Sequence, residues 1–193
     1  MHRRPLLDML AAYEVAHPDE KPCAERIRAL VEGHTDCFER TCLPGHVTAS
    51  AWIVSADHDR ALLTHHRKLE RWLQLGGHSD GDPDVVAVAL REAEEESGMT
   101  GFEVLSRDAD GRPVPLDLDV HLIPARKEEP AHEHHDVRFL LRAPAGQALV
   151  CSDESLDLAW FGPDELEDVA TEESLARMWR KANALLGAIA PSR

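Results

Sequence analysis

The chain has 193 residues, a formal net charge of −15, and 43% hydrophobic against 30% charged residues. That length allows one domain with a substantial core, and the composition is that of a globular chain, not a disordered one. So acidic a protein argues against a nucleic-acid-coating surface, which needs clustered Lys and Arg, and no run approaches the roughly 20 apolar residues that span a membrane.

The start, Met1-His2-Arg3-Arg4, is basic, but Asp8 breaks the short apolar stretch that follows, so no signal peptide is read there. Cys23, Cys37, Cys42 and Cys151 form no C-x-x-C pair, the usage expected of reduced thiols in a cytoplasmic protein. Residues 6–15 (LLDMLAAYEV) follow Pro5 and place Leu6, Met9, Leu10 and Tyr13 at helical spacing. Residues 22–31 predict a second helix with Ile27, Leu30 and Val31 on one side, after a break at His17-Pro18-Asp19. Together these form an N-terminal helical extension over residues 1–44, suited to packing, homodimerisation or substrate gating. His34, Cys37, Cys42 and His46 invite a zinc reading, but spacings of two, four and three residues match no common finger. Small buried cysteines are the expectation.

Residues 47–55 (VTASAWIVS) predict a first strand and residues 60–64 a second, joined by the turn Asp57-His58-Asp59. His65-His66-Arg67-Lys68 follows, then residues 72–75 (WLQL) lead into Gly76. Beyond residue 100, strands are predicted over 102–106, 116–123 and 137–142, with a turn at Asp108-Ala109-Asp110-Gly111 and a polar stretch over 124–136. Within that stretch His132, His134 and His135 lie beside Glu133 and Asp136, candidates for metal binding or acid–base work in a substrate pocket. Alternation puts Asp136, Arg138 and Leu140 on one face and His135, Val137 and Phe139 on the other. A strand over 156–161 ends at Gly162-Pro163. A closing helix over 171–189, with Leu175, Met178, Trp179, Ala182 and Leu185 at helical spacing, should cover one sheet face.

The most informative stretch is residues 76–99, a glycine-rich turn feeding one helix. Asp82 stands where an N-cap belongs, Pro83 where a first helical residue does, and Gly98 where the helix should stop. Val86, Leu90 and Ala93 would face a core, while Glu92, Glu95 and Glu96 share an arc of about 100°. Those glutamates break two rules of helix design. They crowd the last turn, where the helix dipole is negative, and Glu92 and Glu96 form a like-charge i,i+4 pair. Two partly buried carboxylates ~6 Å apart repel by about 3 kcal/mol at an effective dielectric of ~20. A divalent cation turns that repulsion into coordination, and oxygen-only ligands suit Mg²⁺ or Mn²⁺ better than zinc.

These residues resemble the Nudix box, whose pattern is G-x5-E-x7-R-E-U-x-E-E-x-G-U with U a bulky apolar residue. Gly77, Arg91, Glu92, Glu95, Glu96, Gly98 and Met99 fall on motif positions without gaps. Ala93 is a small residue at the first U, and Pro83 stands at the first Glu, with Asp82 or Asp80 the candidates to replace that carboxylate. The resemblance implies a Nudix-type α/β/α sandwich with a mixed β-sheet over residues 45–193. It implies a divalent-metal-dependent pyrophosphohydrolase acting on a nucleoside diphosphate derivative or related small nucleotide. By position, Glu92, Glu95, Glu96 and the Gly76 carbonyl would ligate Mg²⁺ or Mn²⁺, with Glu92 also a base toward water and Arg91 holding Glu92. The segment before the box would meet substrate, which makes His65, His66 and Arg67 candidates beside His134 and His135. Glu154, ahead of Asp153, is the candidate for an extra carboxylate acting as base or outer ligand. A Nudix-like nucleotide sensor and an isoprenoid diphosphate isomerase are the alternatives; the intact REAEEESG run speaks against both.

Overall fold

In the computed structural model, which describes residues 2–126, 129–151 and 155–189, the middle of the molecule is a parallel strand pair. β1 (Gly45–Val54) is buried along its whole length and runs parallel to β7 (His132–Arg142), in register from Gly45 opposite Glu133 to Val54 opposite Arg142. Burial on both faces is the usual condition for a parallel pair. The other ladders are antiparallel. β4 (Leu75–His78) lies against the first half of β1, and β2 (Ala61–His66) against its end. β3 (Arg71–Leu73) and β8 (Ser155–Phe161) flank β2, while β5 (Glu103–Val104) and β6 (Asp117–Ile123) pair with β7. The described residues thus form one eight-stranded mixed sheet.

Strand alternation divides the core into two layers. Val47, Ala49, Ala51 and Ile53 join Val137, Phe139 and Leu141 under three helices, α1 (Arg4–Ala16), α2 (Lys21–Gly33) and α3 (Val85–Ser97). Trp52, Val54, Leu63 and Leu140 face the opposite way, against α4 (Pro163–Val169) and α5 (Glu173–Ile189). The result is an α/β/α sandwich in which the N-terminal helices supply Leu6, Leu10, Ile27 and Val31 to the same core as the sheet. A 3₁₀ turn over Pro18–Glu20 makes the break between α1 and α2.

Three boundaries differ from expectation, each for a local reason. The N-cap of α3 is Asp84, whose carboxylate accepts from the Val86 and Ala87 amides at 3.1 Å. Asp82 instead accepts the Asp84 amide at 2.9 Å, an Asx turn that moves the helix start beyond Pro83. The core stripe of α3 accordingly centres on Val85, Val88, Ala89 and Ala93, with Val86 and Leu90 half-buried at its rim. The end is as expected, at left-handed Gly98 (φ 70°). β7 begins at His132 because β1 and β6 satisfy its backbone on both sides, so polar residues 132–136 are strand and not loop. Gly162-Pro163 starts the unforeseen helix α4, with Glu165 accepting the Gly162 amide at 2.8 Å.

The α5 side of the sheet also buries a charge network. Arg138 reaches Asp136 at 2.7 Å and both Asp117 and Asp119 at 3.1 Å. From α5, Arg177 and Lys181 reach Asp117 at 2.8 Å, and Lys181 also donates to Tyr13 and Glu20 at 2.6 Å. The Thr48 and Ser50 hydroxyls donate to Asp136. Burial opposes ionisation of Asp117, yet Arg177, Arg138 and Lys181 together hold its carboxyl below the usual range. Four carboxylates, Glu20 included, thus meet three cations. Removing one partner from such a set strands buried charge and costs about 3–5 kcal/mol. Arg138→Met is expected to lose that much in urea unfolding. Arg142→Met, which breaks the exposed pair with Glu103, is expected to lose under about 1 kcal/mol. Similar losses in the two variants would contradict the assignment.

Candidate active site

The glutamates of α3 close over β4, and two adjacent glycines permit the approach. A Cβ on Gly77 would lie under 3.0 Å from the Glu92 carboxylate, and one on Gly76 under 3.0 Å from Ser50 on the opposite face. The strand therefore fits between helix and β1 only without side chains at both positions. The Gly76 amide donates to Glu96 Oε1 at 3.1 Å. Arg91 fastens the other side, donating to Glu92 Oε1 at 2.9 Å and to the His78 carbonyl at 2.8 Å.

The electrostatics match that geometry. Burial, set against the Arg91 bond and reinforced by Glu95 and Asp80, pushes the Glu92 carboxyl above its ordinary range. Of the consecutive glutamates, Glu94 has a structural task, accepting the Gly101 amide at 3.1 Å beyond the helix end. Glu95 is exposed and Glu96 half-buried beside β4. Glu92, Glu95 and Glu96, with the Gly76 carbonyl, could hold a hard dication. The donors are all oxygen, and a bound cation would favour the ionised carboxylate that burial opposes at Glu92. The two candidates for the carboxylate missing at Pro83 are both engaged: Asp80 pairs with Arg40 (2.7 Å), and Asp82 holds the Asx turn.

The remaining candidates are dispersed. The His65 ring lies tilted against Trp72 (5.1 Å), and His66 Nδ1 accepts the Lys68 and Leu69 amides. Arg67 donates to the Ser155 carbonyl at 3.0 Å, which brings the segment before the box to the start of β8. Glu154 and Asp153 lie outside the described residues. His134 and His135 sit on opposite faces of β7, so no single pocket on one face takes both. His135 shares its face with Glu133 (3.3 Å), and burial lowers its pKa to about 4. His134 lies among other histidines at ring distances of 4.9–5.5 Å.

The N-terminal Cys/His set is not a single cluster. Cys37 and Cys42 are core residues, and burial lifts both thiols to about 11, as small buried cysteines should behave. His46 points into the histidine group instead. Sequence reasoning missed the role of His78 in that group, and it missed Asp117 and Arg177 in the buried network. Parity along β1 and β7 groups His46 with Thr48, and His134 with Asp136, but nothing local reveals the register that aligns them.

A profile of the NUDIX domain matches residues 44–181. No curated protein matches the sequence. Among solved structures, a Caenorhabditis elegans Ap4A hydrolase in binary complex is similar, with 17% identity and a TM-score of 0.56, over 74% of this chain and 98% of that one. A NUDIX-family hydrolase from Clostridium perfringens has 24% identity and a TM-score of 0.53, over 72% and 97%. The Escherichia coli dihydroneopterin triphosphate pyrophosphohydrolase has 16% identity and a TM-score of 0.51, over 76% and 96%. At these identities the likeness is one of fold, while the profile spans most of the chain, box included. The chain belongs to the NUDIX domain family.

Proposed function

We propose that this chain is a divalent-metal-dependent hydrolase that cleaves a diphosphate linkage in a nucleoside diphosphate derivative or a related small nucleotide. The observation that supports this most is the convergence of Glu92 and Glu96 on the Gly76–Gly77 edge, with Arg91 bridging Glu92 to the His78 carbonyl. Glu92, Glu95, Glu96 and the Gly76 carbonyl hold Mg²⁺ or Mn²⁺ in this reading. When bound, the cation neutralises phosphate oxygens and lowers the pKa of the attacking water.

Each residue has its own part. Arg91 fixes the Glu92 carboxylate through a charge-assisted bond and keeps it from swinging toward solvent. Glu92, its proton affinity raised by burial, is suited to take a proton from water. The closeness of Gly77 excludes any side chain between helix and strand. With a net charge of −15, the protein repels an anionic substrate at long range, so attraction must be local. Arg67, His65 and His66 are assigned to that task, and Glu154 to a supporting carboxylate. His134 and His135 belong, in this reading, to opposite faces, so at most one meets the substrate. Among the described residues no helix is long and apolar enough to cross a membrane. Cytoplasmic residence is part of the proposal, resting on a cysteine usage without a C-x-x-C pair or a dense framework.

The test is product release from a panel of nucleoside diphosphate derivatives and nucleoside triphosphates, with Ap4A and dihydroneopterin triphosphate added because similar folds carry those names. Chelation should abolish turnover, and Mg²⁺ or Mn²⁺ should restore it. Glu96→Gln is expected to lower kcat by at least about 100-fold, roughly 2.7 kcal/mol of barrier, with its unfolding curve unchanged. Near-full activity of that variant would remove Glu96 from the ligand set. Gly77→Ala should lose activity comparably, because the new methyl displaces the Glu92 carboxylate. Silence across the panel with tight nucleotide binding would favour the sensor.

A further inference from the structure

On the sheet face opposite α3, four strands bring five histidines together. His46 of β1 is paired in register with His134 of β7, and His78 of β4 is opposite Thr48, two residues along on the same face. The ring centroids of these three form a nearly equilateral triangle: His46 to His134 is 4.9 Å, His46 to His78 is 5.1 Å and His78 to His134 is 5.0 Å. One ring nitrogen from each lies within 4.8 Å of the others. His132 stands 5.0 Å from His46, and His121 of β6 stands 5.5 Å from His134.

His46 is only 2% exposed, and neither of its ring nitrogens has a well-formed hydrogen bond. A buried polar atom left so costs about 1–3 kcal/mol, and such atoms are rare enough to require a reason. Simple packing supplies none, since an apolar side chain would fill the volume without that cost. Metal coordination does, because it occupies the lone pair that no donor reaches. The outer histidines are already oriented: His121 Nδ1 meets Asp119 at 3.0 Å, and His132 Nδ1 meets the Pro130 carbonyl at 3.0 Å. Such bonds fix imidazoles around metal centres.

We propose that His46, His78 and His134 form a three-nitrogen site for a transition-metal dication of the Zn²⁺ class. This site is separate in donor chemistry from the oxygen-only set of α3, which selects Mg²⁺ or Mn²⁺. It stands whether or not the hydrolytic assignment does. Because His78 directly follows Gly77 and offers its carbonyl to Arg91, an ion held here ties β1, β4 and β7 at the edge that supports Glu92.

The experiment is a calorimetric Zn²⁺ titration of the full-length, metal-stripped protein, with Co²⁺ as a spectroscopic probe and excess Mg²⁺ present. One equivalent of Zn²⁺ is expected to bind and raise Tm. Co²⁺ should give the visible spectrum of a tetrahedral ion without a sulfur charge-transfer band, which separates this site from the His34, Asp36 and Cys42 group. His46→Gln and His134→Gln should each weaken Zn²⁺ binding at least about tenfold, as ligand loss does. His78→Gln, like His134→Gln at a half-buried position, serves as the third variant should the buried His46→Gln fail to fold. The double variant Glu92→Gln/Glu96→Gln should keep Zn²⁺ affinity within about twofold. Failure to bind Zn²⁺, binding indifferent to every histidine variant, or binding lost with the glutamates would overturn the proposal.

Discussion

The contact on which the active edge depends is the one between α3 and β4, where Gly77 leaves room for the Glu92 carboxylate and the Gly76 amide reaches Glu96. Most of the surrounding structure serves to make that approach possible. Ala93, fully buried where the family pattern has a bulky residue, lets the helix sit close to the sheet. Asp84 and Gly98 set its two ends, so the glutamates fall at the right height along β4. Arg91 spans helix and strand, which makes the carboxylate cluster a property of the pair and not of the helix alone.

The carboxylates are an electrostatic liability that the fold retains. Glu92 is partly buried, faces Glu95 and Asp80, and has one arginine to offset them. A helix selected for stability alone would carry an apolar or neutral residue there. The sheet treats its other buried charges differently. Asp117, Asp119, Asp136 and Glu20 are paired with Arg138, Arg177 and Lys181, and these contacts tie α5 and the turn after α1 to β6 and β7. One group of acids is paired with cations from the chain and holds the layers together. The other is left short of positive charge at an accessible edge.

Local sequence was most informative where one element carries all the signal. The α3 helix, its glycine stop and its acidic arc are periodic features of a single segment, so they were legible. So was the division of β7 into an Asp136–Arg138–Leu140 face and a Val137–Phe139 face, because alternation alone decides it. What could not be read depends on pairing between distant strands. His46, His78 and His134 meet only because β1 runs parallel to β7 with β4 against its other edge, and a shift of one residue would send His134 to the opposite face. Asp82 was misjudged as a cap because two aspartates flank Pro83 and either could bond the helix start; the Asx turn decided for Asp84. Polar residues 132–136 resembled a loop because their backbone partners come from β1 and β6, which composition cannot show.

The account rests on two donor sets of different chemistry lying on either side of β4. Crystals grown with Mn²⁺ and measured for anomalous scattering would test it most directly. The account predicts a Mn²⁺ peak bounded by Glu92, Glu95 and Glu96 beside the Gly76 carbonyl, and its loss in Glu96→Gln. A sole Mn²⁺ peak among His46, His78 and His134, with none at the α3 carboxylates, would contradict it.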